Sequence, residues 1–153
     1  MDEGPKEIRL RSRLVNGLYT EAMLLADEAR AYFDHQGRQD REALDPVTRV
    51  ALSCESLKIT TRLMHVLAWL LTERAIDLGQ MNDDEAAAAA RRLGDAAMSD
   101  AGSLEGLPRP AIALVDASQD LYARVRRLEI EAPEPASGVS PALSLLDRLE
   151  RAF

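Results

Sequence analysis

The feature that most constrains this chain is residues 46 to 78, a stretch with helix signals at both ends and apolar residues on two opposite sides. It opens at Asp45-Pro46, where the aspartate can cap and the proline suits the first helical position because its missing N–H costs nothing there. It closes before Gly79, a residue suited to the left-handed stop. At 1.5 Å per residue this is roughly 50 Å of helix. Val47, Val50, Cys54, Leu57, Thr61, Met64, Ala68, Leu71, Ala75 and Leu78 step by three and four without interruption, the seven-residue repeat of a bundle seam. A second series, Leu52, Ile59, Leu63, Val66 and Leu70, lies nearly opposite. The regular series is expected to pack on the chain's own helices. The second, left uncovered by two neighbours, is then the self-association face. A segment from later in the chain folding back over it, or an unrelated partner, is the alternative.

The rest of the chain supplies the neighbours. Leu14, Leu18, Ala22, Leu25, Ala29 and Tyr32 predict a helix over about 12–33, ended by Gly37. Asn82 with Glu85 makes a capping box for a short helix through five alanines. Glycines and prolines from Gly94 to Pro110 predict a loop. Ala111, Val115, Ser118, Tyr122, Val125 and Leu128 predict a last long helix over 110–129. No strand-like alternation interrupts this pattern. The expectation is an all-α fold, an antiparallel three-helix bundle with a long central helix, an additional short helix and a flexible C-terminal tail. The bundle domain spans 1–130, and 131–153 form a Pro/Glu-rich linker and a short amphipathic segment.

Composition narrows the function. Of 153 residues 46% are hydrophobic and 29% charged, enough for one domain with a core, and the formal net charge of −7 opposes binding to nucleic acid. The apolar run Leu63–Leu71 is nine residues, against the roughly 20 needed to span a bilayer. The opening "MDEGPKEIRLRSRL" has no apolar signal region, and one cysteine allows no internal disulfide. A cytoplasmic location follows as an expectation. His35 and His65 sit in no metal-binding spacing, Arg62 has the wrong charge for a metal ligand three residues before a histidine, and no phosphate loop or nucleophile motif occurs. His65 reads as a half-buried structural residue, Cys54 as a small core hydrophobe, and Trp69 as core packing or an interaction hot spot. No catalytic, cofactor-binding or metal residues are expected, and no cofactor.

The run "ESLKITTRLMHVLAWLL" followed by "ERAIDLGQM" and the acidic start "NDDEAA" resembles the alphaproteobacterial regulator-of-CtrA-degradation (RcdA) family. "YFD…GR" at the end of the first helix and "S…LYARVRRLE" in the last extend the resemblance over roughly residues 12 to 130. The resemblance implies a dimeric three-helix bundle without enzymatic activity. It further implies an adaptor for regulated proteolysis by ClpXP of cell-cycle regulators such as CtrA. In that scheme a single-domain response regulator primes the ClpX unfoldase, and the adaptor brings substrates or a cyclic-di-GMP-binding adaptor. Other readings are a dimeric scaffold unrelated to proteolysis and a helical-bundle ligand or metal binder with enzymatic activity.

The tail is read from its residues alone. "EAPEPASGVSP" has the composition of a linker, and Ala142, Leu146, Leu149 and Phe153 then share one stripe. About 13 residues are too few for a stable isolated helix. Leu146, Leu149 and Phe153 are therefore a candidate partner-binding tail that orders on a groove. Docking on the chain's own bundle is the other reading.

Overall fold

The computed structural model describes residues 4–81, 88, 91–131 and 149–152. Among them every long element is a helix: α1 Pro5–Asp34, α2 Gln36–Glu42, α3 Pro46–Asp77 and α4 Arg109–Glu131, with a 3-10 turn at Gly102–Leu104. The all-α bundle with a long central helix is thus what the chain forms. α3 starts where its local chemistry dictates. The Asp45 carboxylate accepts from Thr48 N at 3.2 Å and from Thr48 Oγ1 at 2.6 Å, and Pro46 enters the first turn. It ends at Gly79, whose φ of 69° only glycine adopts without strain.

Two boundaries differ from expectation. α1 begins at Pro5, because proline fixes the first turn and the charged residues that follow all tolerate helix. Gly37 does not break the chain into a loop. The backbone bends at His35 and resumes as α2, with Gly37 buried so closely under Tyr32 that a Cβ would lie 2.7 Å from the Tyr32 carbonyl oxygen. Tyr32 donates to Asp40 at 2.8 Å, and Arg49 donates to the carbonyls of Arg41, Glu42 and Leu44 at the end of the α2 segment. The alanine-rich short helix expected from Asn82 falls on residues outside those described, except Ala88.

Long-range contacts set the directions. Arg11 and Ser12 near the start of α1 reach Glu73 and Asp77 near the end of α3, so these helices are antiparallel. Arg124 of α4 reaches Glu21 of α1. On α3 and α4, Leu52 packs with Ala111 and Arg62 bonds Ser118, so those two run in the same direction. The chain must therefore return along the whole bundle between them. Residues 91–107 do so as a strap in the groove between α3 and α4. Trp69 Nε1 donates to Arg91 O at 2.6 Å, Tyr122 Oη to Gly94 O at 2.7 Å and Ser99 N to Gln119 at 2.7 Å, while Leu93 and Leu107 are buried.

The core is built from Val15, Leu18, Ala22 and Leu25 of α1, Ile59 to Leu70 of α3, and Val115, Leu121 and Val125 of α4. Here the seam expected to be uncovered is found inside. Leu52, Ile59, Leu63, Val66 and Leu70 are each 5% exposed or less. As a self-association face they are corrected: α1, α4 and the strap cover them. The reason is the parallel α3–α4 pair, whose return strap supplies a fourth wall that a plain up-down-up bundle lacks.

Candidate interaction surface

With that seam inside, the regular one is outside. Val47, Val50, Leu57, Met64, Leu71 and Leu78 are between 48% and 79% exposed, and Cys54, Thr61 and Ala68 are exposed between them. Cys54, expected in the core, lies on this outer face. The heptad pattern runs the length of α3, an exposed apolar stripe on the order of 45 Å long. Its flanks carry Ser53, Thr60, His65 and Thr72, with Lys58 and Arg74 as their charges. A contiguous apolar patch of this extent on a charged protein marks a contact surface.

The inner face also carries charges. Glu55, Arg62 and Glu73 are all buried. Arg62 donates to Ala97 O at 2.8 and 3.1 Å, to Ser99 Oγ at 2.7 Å and to Ser118 Oγ at 3.1 Å. Ser99 in turn bonds Glu55, whose other oxygen pairs with Lys58 at 2.9 Å. Glu73 binds Arg91 at 2.8 Å and Arg11 at 3.1 Å. No buried side-chain polar atom among the described residues lacks a partner. Burial pushes the Glu55 carboxyl up, but the bonds from Ser99 and Lys58 outweigh it and hold it below the usual range. Burial lowers the Arg62 guanidinium, opposed by Glu55. This arrangement is a clamp on the strap, its acceptors occupied by structural bonds. A signal existed, for Glu55, Arg62 and Glu73 alternate with Ile59, Val66 and Leu70 on one side of the helix.

Trp69 is buried in the core, and His65 is half-buried against Gly94. Among the described residues no group of three or more His, Cys, Asp or Glu side chains is placed to hold a metal ion, and no helix is long and apolar enough to cross a membrane. Two concavities among the described residues are shallow. One of about 250 Å³ lies between α1 and α4, lined by Glu21, Leu24, Leu25, Glu28, Ala117, Asp120 and Arg124. Another of about 180 Å³ lies along α1 at Lys6, Arg9, Leu10 and Arg13. Of the candidate tail residues, Leu146 and Phe153 lie outside the described residues, and Leu149 is exposed in a helical turn.

The fold and its surface define a class: a helical bundle with an exposed apolar seam on its central helix. Comparison with known proteins gives the family. A family model described as "Protein of unknown function (DUF1465)" matches residues 6–153. The crystal structure of RcdA from Caulobacter crescentus CB15 is similar, with 35% identity, a TM-score of 0.63, and coverage of 76% of this chain and 88% of that one. Among curated proteins none matches. The chain belongs to the DUF1465 family, the family of RcdA.

Proposed function

We propose that this protein is a non-enzymatic adaptor that regulates proteolysis of cell-cycle regulators by ClpXP, and that it works as a homodimer through the outer seam of α3. The observation that carries the proposal is the exposed heptad stripe from Val47 to Leu78 on a chain 35% identical to RcdA. An adaptor needs binding faces, and a soluble bundle does not leave such a seam to water unless a partner covers it. Its residue order favours a second copy. When the seam is turned onto itself antiparallel, Leu57 meets Ala68, Cys54 meets Leu71 and Val50 meets Ala75. Large residues then face small ones at these positions, as close packing requires, while Val47 meets Leu78 at the two ends. Its bundle would dock on ClpX primed by a single-domain response regulator, and bring substrates or a cyclic-di-GMP-binding adaptor; these partners follow from the family resemblance. The tail carrying Leu146, Leu149 and Phe153 is a further partner-binding element in this reading.

The test is a reconstituted ClpXP degradation assay with the priming response regulator present. Addition of the protein accelerates turnover of an adaptor-dependent substrate, and deletion of residues 140–153 leaves the bundle folded while weakening partner capture. Unchanged turnover of every substrate would remove the adaptor reading.

A further inference from the structure

The outer face of α1 is patterned independently of α3. Lys6, Arg9, Leu10, Arg13, Leu14, Gly17, Glu21, Leu24 and Glu28 share one exposed stripe. Its first half is basic, its second half acidic, and Gly17 stands midway with nothing within 4 Å of where a Cβ would be. Two shallow hollows lie on this stripe, one in each half. Neither is lined by any residue of α3.

The order of residues is self-complementary about Gly17. If a second α1 is laid antiparallel with Gly17 over Gly17, Lys6 falls opposite Glu28, Leu10 opposite Leu24, and Arg13 opposite Glu21. Each of these pairs then occurs twice by symmetry. Leu10 of one copy arrives at the hollow between Leu24 and Ala117 of the other, the apolar part of a groove otherwise rimmed by Glu21, Glu28, Asp120 and Arg124. The Arg124 guanidinium already pairs with Glu21, so Arg13 of the second copy would join Glu21 beside it. Glycine at the crossing lets the two backbones approach closely. A parallel arrangement would set Lys6 on Lys6 and Glu28 on Glu28, so the charges also dictate direction.

We propose that the α1–α4 face is a second self-association surface, on which α1 of another copy lies antiparallel and crosses at Gly17. This surface is distinct from the α3 seam, so it joins dimers that the seam has already formed. Its cations and carboxylates are exposed and its apolar content is small. The contact is therefore weak and salt-sensitive, and it populates as local concentration rises.

A symmetric disulfide tests it. Gly17→Cys on a Cys54→Ser background sets two thiols at the crossing, within the 4.4–6.8 Å Cα separation that a disulfide spans. Leu24→Cys on the same background is the control, since its two copies would sit about 21 Å apart. Under mild oxidation at low salt the first variant cross-links at least tenfold faster than the second, and added salt slows it. Adding Lys6→Glu with Arg13→Glu slows cross-linking, as does adding Glu21→Lys with Glu28→Lys. A mixture of these two charge variants restores the rate, because every opposed pair is again opposite in sign. Circular dichroism checks that each variant keeps its helices. Cross-linking of Gly17→Cys no faster than Leu24→Cys, or a mixture no faster than its components, overturns the proposal. Neither result bears on the α3 dimer, which is read separately from sedimentation mass.

Discussion

Arg62 shows how much a single residue organises. It ties α3 to α4 through Ser118 and to the strap through Ala97 and Ser99, with no exposed surface of its own. Removing it leaves buried oxygens of Ala97, Ser99 and Ser118 without their donor, a loss of about 1–3 kcal/mol for each group left unsatisfied. Arg62→Ala is expected to lower urea stability by that order, read from the unfolding midpoint. Arg62→Met, which fills the space without a donor, should still leave the oxygens of Ala97, Ser99 and Ser118 short of a partner and so lose a comparable amount. The sign of the pH effect follows from Glu55. Its folded pKa lies below the unfolded value, so its contribution is fully present above about pH 4.3 and is lost as pH falls through the folded value. The stability gap between the wild type and Glu55→Gln should therefore be flat from pH 7 to 5 and close below pH 4. None of this pairing was legible in the sequence. The partners of Glu55 and Arg62, Ser99 and Ala97, lie in a segment whose path no periodicity specifies.

Among the elements, the strap is the one whose removal changes the fold's logic. It lets α3 and α4 run in the same direction and seals Trp69 and Leu70 from water. Gly94 is its tightest point, since any side chain there would collide with the His65 ring. Gly94→Val is expected to lift the strap locally, costing about 1–3 kcal/mol by overpacking. A red shift in the emission of Trp69, the only tryptophan, checks it; unchanged emission would mean the strap adjusts without opening. The helices themselves were legible: the Asp45-Pro46 start, the Gly79 stop and the last helix came from capping chemistry and 3.6-residue spacing. The inward side of α3 was not. Its outer seam is the more regular and more apolar of the two, while the true inner seam is broken by Glu55, Arg62 and Glu73. Periodicity locates stripes but does not say which one the chain covers, because buried charges that find partners are invisible to a hydrophobic pattern.

At the scale of the whole molecule, the account distinguishes two pairs of leucines on one helix. Leu63→Glu with Leu70→Glu puts carboxylates into a sealed core and is expected to unfold the bundle, read as loss of helical circular dichroism. Leu57→Glu with Leu71→Glu changes only the outer seam, where both side chains are exposed, and should leave the helix content intact. The adaptor reading rests on that outer seam being covered in the working protein by a second copy. Sedimentation equilibrium of the wild type beside Leu57→Glu/Leu71→Glu measures this directly. The account predicts twice the chain mass for the wild type and the single-chain mass, with unchanged helicity, for the variant. A wild type that sediments as a single chain, or a variant that keeps the doubled mass, would contradict it.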